Sequence, residues 1–271
     1  MAGYIQITFQ HINPEQQEML IAQLSASGYE GFEESDQLLK AFIIPDHYDQ
    51  ALLQEIAGQH QLLFSEEYIA EQNWNSSWES NFEPVIVDDF TGIRAGFHEP
   101  IKGVEYEIVI TPKMSFGTGH HATTHMMVQA MREISFTDKT VFDFGTGTGI
   151  LAILAEKLGA SAITAIDNDD WSISNAAENL ERNHCNRIHL GKADTLPSNQ
   201  VYDIILANIN KNVILDHFAS LNQQLAEGGV LVLSGLLEED EADIMAKATQ
   251  FPLSRVGKKL KNSWICLIFK H

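Results

Sequence analysis

The sequence predicts an α/β protein in which a Rossmann-like domain follows a small N-terminal ferredoxin-like α+β domain. Three observations predict it. Strand and helix patterns alternate regularly beyond Met114, as in a sheet covered on both faces by helices. A strand reading Val141–Phe142–Asp143–Phe144 runs straight into Gly145-x-Gly147-x-Gly149 and then an apolar helix. The first 70 residues carry a separate β-α-β-β-α-β pattern.

In that first pattern, Tyr4, Ile5, Ile7 and Phe9 mark a strand, and Pro14 to Ser27 reads as a helix with Leu20, Ile21 and Leu24 on its apolar stripe. Gly28 and Gly31 end it. Strands at Gly31–Glu34 and Leu38–Ile44, a helix near Tyr48–Ala57 and a strand at Leu62–Ile69 complete the module. Residues 71–101 read as a linker with short strands at Pro84–Asp88 and Thr91–Phe97, in which Trp74 and Trp78, four apart, share one helical face. Another strand is expected at Glu105–Ile110. The larger domain, residues 102–271, has strands at Thr140–Phe144, Ala162–Ile166, Arg187–Leu190, Asp203–Ala207 and Val230–Ser234. Helices are expected at Ile150–Leu158 and Trp171–Asn183, and Leu253–Leu260 with Ser263–Phe269 returns as an antiparallel edge pair. Asn262–Ser263–Trp264 is read as bracing that pair, with no chemistry assigned.

Seventeen Lys and Arg against thirty-seven Asp and Glu give a formal charge of −20. Such a surface repels phosphate backbones and favours a basic small molecule or protein, so no direct nucleic-acid partner is expected. No run of about 18 apolar residues suggests a membrane span. The N-terminal stretch MAGYIQITFQ alternates like a folded strand rather than a signal peptide. Two cysteines, Cys185 and Cys266, point to neither a disulfide framework nor a thiolate metal site, and a reducing cytoplasm fits.

The glycine turn is the start of a nucleotide-cofactor site. Glycine permits unusual backbone angles and close approach of a ligand, and the turn is expected to aim free N–H groups of a helix start at that ligand. The next strand ends in Asp167, twenty-two residues after Gly145, where a carboxylate can accept both ribose hydroxyls of an adenosine. A dinucleotide fingerprint would place its third glycine at position 150, which is Ile150 here. Asp143, two residues before the first glycine, suits a methionine ammonium or a sulfonium cation better than a pyrophosphate, or else it orients the turn. Geometry alone leaves open which adenosine cofactor binds, and these features favour S-adenosylmethionine (AdoMet) over a dinucleotide. Asp194, after the third strand, is a candidate for the adenine amino group, with surface capping as the alternative. His120, His121 and His125 permit a metal site, but they lack the glutamate and cysteines that would complete one, and no metal is expected.

The run Thr111–Pro112–Lys113–Met114–Ser115–Phe116–Gly117–Thr118–Gly119–His120–His121–Ala122–Thr123–Thr124, with VFDFGTGTGILAI and LANIN, closely resembles the bacterial ribosomal protein L11 methyltransferases over nearly the whole chain. The resemblance implies a class I AdoMet-dependent methyltransferase domain and an N-terminal domain, residues 1–70, that holds L11. It implies methylation of L11 lysine side chains or of its α-amine. Carried over, Thr124, Gly145, Asp167 and Asn208 become the principal AdoMet contacts, with Gly147 in the same loop. Phe116 to Gly119 becomes the loop over the methionine portion, and His121 a polar member that matters to activity. Thr146 stands where many relatives carry Cys, and Ile-Asn-Lys follows Asn208 where relatives often have Ile-Leu, so Asn210 is expected to alter the substrate mouth. Asn208 cannot act as a base near neutrality, but its amide oxygen can orient an amine N–H. His121 is a proton carrier to solvent or a hydrogen-bonding residue. The charge balance favours L11 free of the ribosome, acted on by a monomer. The alternatives are an N-methyltransferase of another basic protein or a small amine, and an AdoMet-binding interaction protein without transfer activity.

Overall fold

Alternating apolar positions and capped helices build two units, Met1–Trp74 and Asn75–His271. The structure, a computed structural model, describes residues 4–29, 31–35, 37–69, 82–113, 117–195 and 200–271. Trp74, Trp78 and Phe116 lie outside the described residues. Among those described, no helix is long and apolar enough to cross a membrane.

The first unit runs β1 (Tyr4–Gln10), α1 (Pro14–Ala26), β2 (Gly31–Ser35), β3 (Leu38–Ile43), α2 (Gln50–Gln59) and β4 (Phe64–Ile69). Its antiparallel sheet has the order β2-β3-β1-β4. Helix α1 begins where Asn13 and Gln16 form a reciprocal capping box, at 2.8 and 2.9 Å. Helix α2 starts at Gln50, two residues later than the sequence pattern suggests, because Asp49 accepts from the N–H groups of Ala51 and Leu52 and caps the helix there. Ile7, Phe9, Leu39, Ala41 and Ile43, alternate residues of β1 and β3, meet Leu20, Leu24 and Leu53 in a single core.

The second unit begins with a three-stranded sheet, β5 (Val85–Val87), β6 (Thr91–Ala95) and β7 (Tyr106–Ile110), antiparallel between β5 and β6 and parallel between β6 and β7. Val87, Ile93 and Ile108 are packed with Met127, Met131 and Leu154 in one core. These strands therefore belong to the larger unit rather than to a connecting segment. Next come α3 (Ala122–Arg132), β8 (Thr140–Phe144), α4 (Ile150–Lys157), β9 (Ala162–Asp167), α5 (Asp170–Arg182), β10 (Ile188–Lys192), β11 (Tyr202–Asn208) and α6 (Lys211–Gln223). The chain ends with β12 (Leu225–Leu237), α7 (Glu241–Ala248), β13 (Ser254–Lys261) and β14 (Trp264–Lys270).

The large sheet has the order β10-β9-β8-β11-β12-β14-β13. β8 to β12 run parallel to one another, β14 is antiparallel to β12, and β13 is antiparallel to β14. Residue parity divides each strand between two cores. Val141, Ile204 and Leu206 join the core containing α4, while Phe142, Phe144, Ile205 and Ala207 join the one containing Phe218 of α6. From β8 the chain first builds outward through β9 and β10, then returns to β11 on the other side. The order thus reverses between β8 and β11, and a ligand crevice is expected beyond the carboxyl ends of those two strands.

Candidate active site

A cavity of about 450 Å³ opens at that reversal. Its walls come from the ends of several strands. Gly145 and Gly147 follow β8, Asp167 and Asn168 lie at the end of β9, Ala193 and Asp194 follow β10, and Asn208, Ile209 and Asn210 lie at the end of β11. His121, Val213, Gly235 and Trp264 also line it. Of the residues expected at a cofactor or in catalysis, the structure brings Gly145, Gly147, Asp167, Asp194, Asn208 and His121 to this one cavity.

The glycine loop is fastened to the sheet. Gly145 N–H and Thr146 N–H both donate to the Ile166 carbonyl at 2.9 Å, Gly147 N–H donates to Asp167 Oδ2 at 2.9 Å, and Gly149 N–H donates to the Thr146 carbonyl at 2.9 Å. The tight turn consumes these four donors, which precede the helix-start N–H groups of Ile150 onward expected to face a ligand. Gly145, Gly147 and Gly149 have φ of +74°, +54° and +82°, the left-handed region where a side chain is disfavoured. A Cβ on Gly145 would stand 2.3 Å from Cγ2 of Ile209, so the glycine also makes room for the turn after β11.

Asp167 accepts from Gly147 N–H through Oδ2 and from Asp169 N–H through Oδ1, at 2.9 and 3.1 Å. Each oxygen keeps acceptor capacity for a hydroxyl in the cavity. Ala193 N–H donates to the Asp167 carbonyl at 2.9 Å, which brings Asp194 alongside.

Asp143 is placed differently from the expectation. It shares parity with Val141, is fully buried, and is not among the residues that line the cavity. Thr146 Oγ1 donates to its Oδ2 at 2.6 Å, while Oδ1 is buried without a partner. Burial, with the Asp167 carboxylate adding to it, pushes the Asp143 carboxyl up to about 7 against the Thr146 hydrogen bond. The Thr146 hydrogen bond ties the Asp143 carboxylate to the turn.

Asn208 is buried at the end of β11. Its Nδ2 donates to Thr124 Oγ1 at 3.3 Å, and its Oδ1 has no partner. Thr124 does not reach the main cavity. It lines a neighbouring water-sized space of about 10 Å³ together with Asn208, Gly145, Thr146 and Thr148. His121 is the N-cap of α3: its Nδ1 lies 2.7 Å from Thr123 Oγ1 and accepts from Thr123 N–H. Its ring meets Trp264 edge-on, centroids 4.7 Å apart. Asn210 lines the cavity mouth, but its Oδ1 accepts from Val213 N–H at 3.1 Å and caps α6.

Trp264 and Gly235 are site residues that the sequence reading missed. A signal for them is present in the apolar run VLVLSGLL, where an isolated glycine marks a bulge or a close backbone approach. β12 shifts register between Leu233 and Leu236, and a Cβ on Gly235 would fall 2.2 Å from the Ile209 carbonyl oxygen. The bare glycine lets the Asn208–Asn210 turn seat against β12. Leu237 pairs with Trp264 just beyond that bulge, so the same strand end sets the tryptophan at the cavity wall.

The family model described as ribosomal protein L11 methyltransferase matches residues 4–271. A ribosomal protein L11 methyltransferase of Porphyromonas gingivalis is 38% identical over 264 residues, covering 93% of this chain and 90% of the relative. One from Phocaeicola vulgatus is 34% identical over 276 residues, covering 98% of each. Among solved structures, a ribosomal protein L11 methylase from Lactobacillus delbrueckii subsp. bulgaricus superposes with a TM-score of 0.65 at 29% identity, over 69% of this chain and 98% of that one. The parallel sheet, its reversal and the cavity there are those of a class I methyltransferase, and the chain belongs to the ribosomal protein L11 methyltransferase family.

Proposed function

We propose that the protein transfers methyl groups from AdoMet to amino groups of ribosomal protein L11, lysine side chains or the α-amine. The observation that carries the chemistry is the Asn208 amide, tied to Thr124 through Nδ2 and left with Oδ1 buried and unpaired beside the cavity. A buried acceptor without a donor costs about 1–3 kcal/mol, and an incoming amine N–H would relieve that cost. The choice of L11 rests on the relatives' names and on their coverage of this chain.

The residues fit AdoMet. Four turn N–H groups are engaged internally, and Asp167 keeps carboxylate oxygens that can accept the ribose hydroxyls of an adenosine. When bound, AdoMet supplies a methyl group on a sulfonium. Gly145 and Gly147 let it approach the backbone, Asp167 takes the ribose, and Asp194 takes the adenine edge. Phe116 keeps its proposed place over the methionine portion by resemblance alone. Asn208 orients the acceptor amine, and His121 with Trp264 walls the amine from water. The attacking amine must be neutral, whereas its reference pKa is about 10.4 for lysine or about 8 for an α-amine. Removal from water beside a cation lowers that value, so alignment and desolvation supply assistance without a dedicated base.

The N-terminal unit, read as ferredoxin-like from its connectivity, holds L11. A charge of −20 favours free L11 over L11 packed in ribosomal RNA, and the reading includes a monomeric enzyme in the cytoplasm. Labelled methyl transfer to purified L11 tests the reading. Asn208→Ala is expected to lower kcat about 100-fold. Labelling of another basic protein but not of L11 would remove the substrate assignment.

A further inference from the structure

The Gly117–His121 turn leads into α3 and carries the His121 ring to the cavity wall. One side chain links it to the glycine loop: Thr148 Oγ1 donates to the Gly117 carbonyl at 2.7 Å. The contact is close. Gly117 has φ of +101°, and a Cβ there would stand 3.0 Å from that same hydroxyl oxygen. Two residues on, a Cβ at Gly119 would lie 2.6 Å from Cδ1 of Ile93. The turn is wedged between the glycine loop and β6.

Thr148 is held in turn from α5. Its carbonyl accepts from Nδ2 of Asn179 at 2.8 Å, and Oδ1 of the same amide accepts from Thr111 N–H at 2.8 Å. Asn179 is completely buried. A single amide thus joins the glycine loop to the residue after β7, and the Thr148 hydroxyl joins the glycine loop to the turn. Buried polar networks restrain what they connect, and this one extends from Asn179 Nδ2 to Asn175 Oδ1 at 3.3 Å. Neither Thr148 nor Asn179 lines the main cavity, and Thr148 lines the neighbouring water-sized space with Thr124 and Asn208.

We propose that Thr148 and Asn179 form a hydrogen-bonded clamp that registers the His121–Thr124 end of α3 against the glycine loop, making both of them positioning residues for methyl transfer. The cofactor wall, Gly145 and Gly147, and the acceptor wall, His121 with Asn208 held through Thr124, then share one frame. The clamp acts on the alignment of donor and acceptor rather than on affinity for either. A misplacement of about 1 Å can cost roughly 100-fold in rate.

The inference rests on the proposed placement of AdoMet, and the test separates the two. Thr148→Val removes the hydroxyl with little change of volume, and Thr148→Ser retains it. AdoMet dissociation is measured by calorimetry, and kcat by methyl transfer to saturating L11. Thr148→Val is expected to bind AdoMet within about two-fold of the parent while kcat falls at least about ten-fold. Thr148→Ser should bring kcat back to within about three-fold, a recovery that a loss of loop packing would not give. Asn179→Ala should repeat the kcat loss with a lower melting temperature. Unchanged kcat in Thr148→Val overturns the clamp. So does an equal loss of kcat and AdoMet affinity that serine fails to rescue, which would make Thr148 a structural part of the glycine loop alone. A parent chain that fails to bind AdoMet would instead overturn the cofactor reading and the clamp with it.

Discussion

A carboxyl group sealed beneath a glycine turn behaves differently from one at the surface, and Asp143 shows how. Its folded value of about 7 lies above the ordinary 3.8, so the folded state binds more protons than the unfolded state between those values. Stability from this group is therefore lost as pH rises through that window, by up to about 1.4 kcal/mol per pH unit. Asp143→Asn keeps an acceptor for the Thr146 hydroxyl and removes the titration. Urea denaturation of parent and variant from about pH 4 to 8 should show the parent losing ground as pH rises, and a flat difference would mean that Asp143 does not titrate there. Local spacing alone makes Gly145, Gly147 and Asp167 legible in the sequence. It does not show that the Thr146 hydroxyl reaches back to Asp143, because that depends on which face of β8 lies under α4. Trp264 is hidden for another reason: it arrives from the last strand, and only the pairing of β14 with β12 puts it beside His121.

At the level of elements, α5 acts as a strand partner for β7. Asn183 accepts from Val109 N–H at 3.0 Å and donates to the Val109 carbonyl at 2.7 Å, and Asn179 takes Thr111 N–H at 2.8 Å. Two asparagines one helical turn apart thereby satisfy backbone groups two residues apart on the strand side. Glu178 adds to the contact: the Lys113 ammonium, then the Thr111 hydroxyl, hold its carboxyl down to about 2. Asn183→Ala leaves both Val109 groups without this partner, and is expected to cost about 1–3 kcal/mol, read as a lower urea midpoint at unchanged m value. The α5 helix is evident from its periodicity, yet its asparagines look in sequence like ordinary polar positions. Their function becomes visible only once β7 is placed beside them. The β-α-β alternation, by contrast, is legible because strands buried on both faces read as continuous apolar runs, as in Ile204–Ala207.

For the whole molecule, the division at Trp74 and Asn75 separates hydrophobic cores that share no residue. The cavity draws every wall residue from the second unit. Removal of residues 1–74 is accordingly expected to leave AdoMet binding within about three-fold of the parent while methylation of L11 drops by at least about 100-fold. Isothermal titration and labelled transfer measure the two. Equal losses would show that the second unit needs the first to fold. The reversal of strand order between β8 and β11 has a bearing on redesign as well. It assigns the two walls of one cavity to separate stretches of chain, residues 145, 147 and 167 on one side and residues 208–210, 213, 235 and 264 on the other. A variant library confined to residues 210, 213 and 264 is expected to explore new methyl acceptors while the glycine loop and Asp167 stay unchanged.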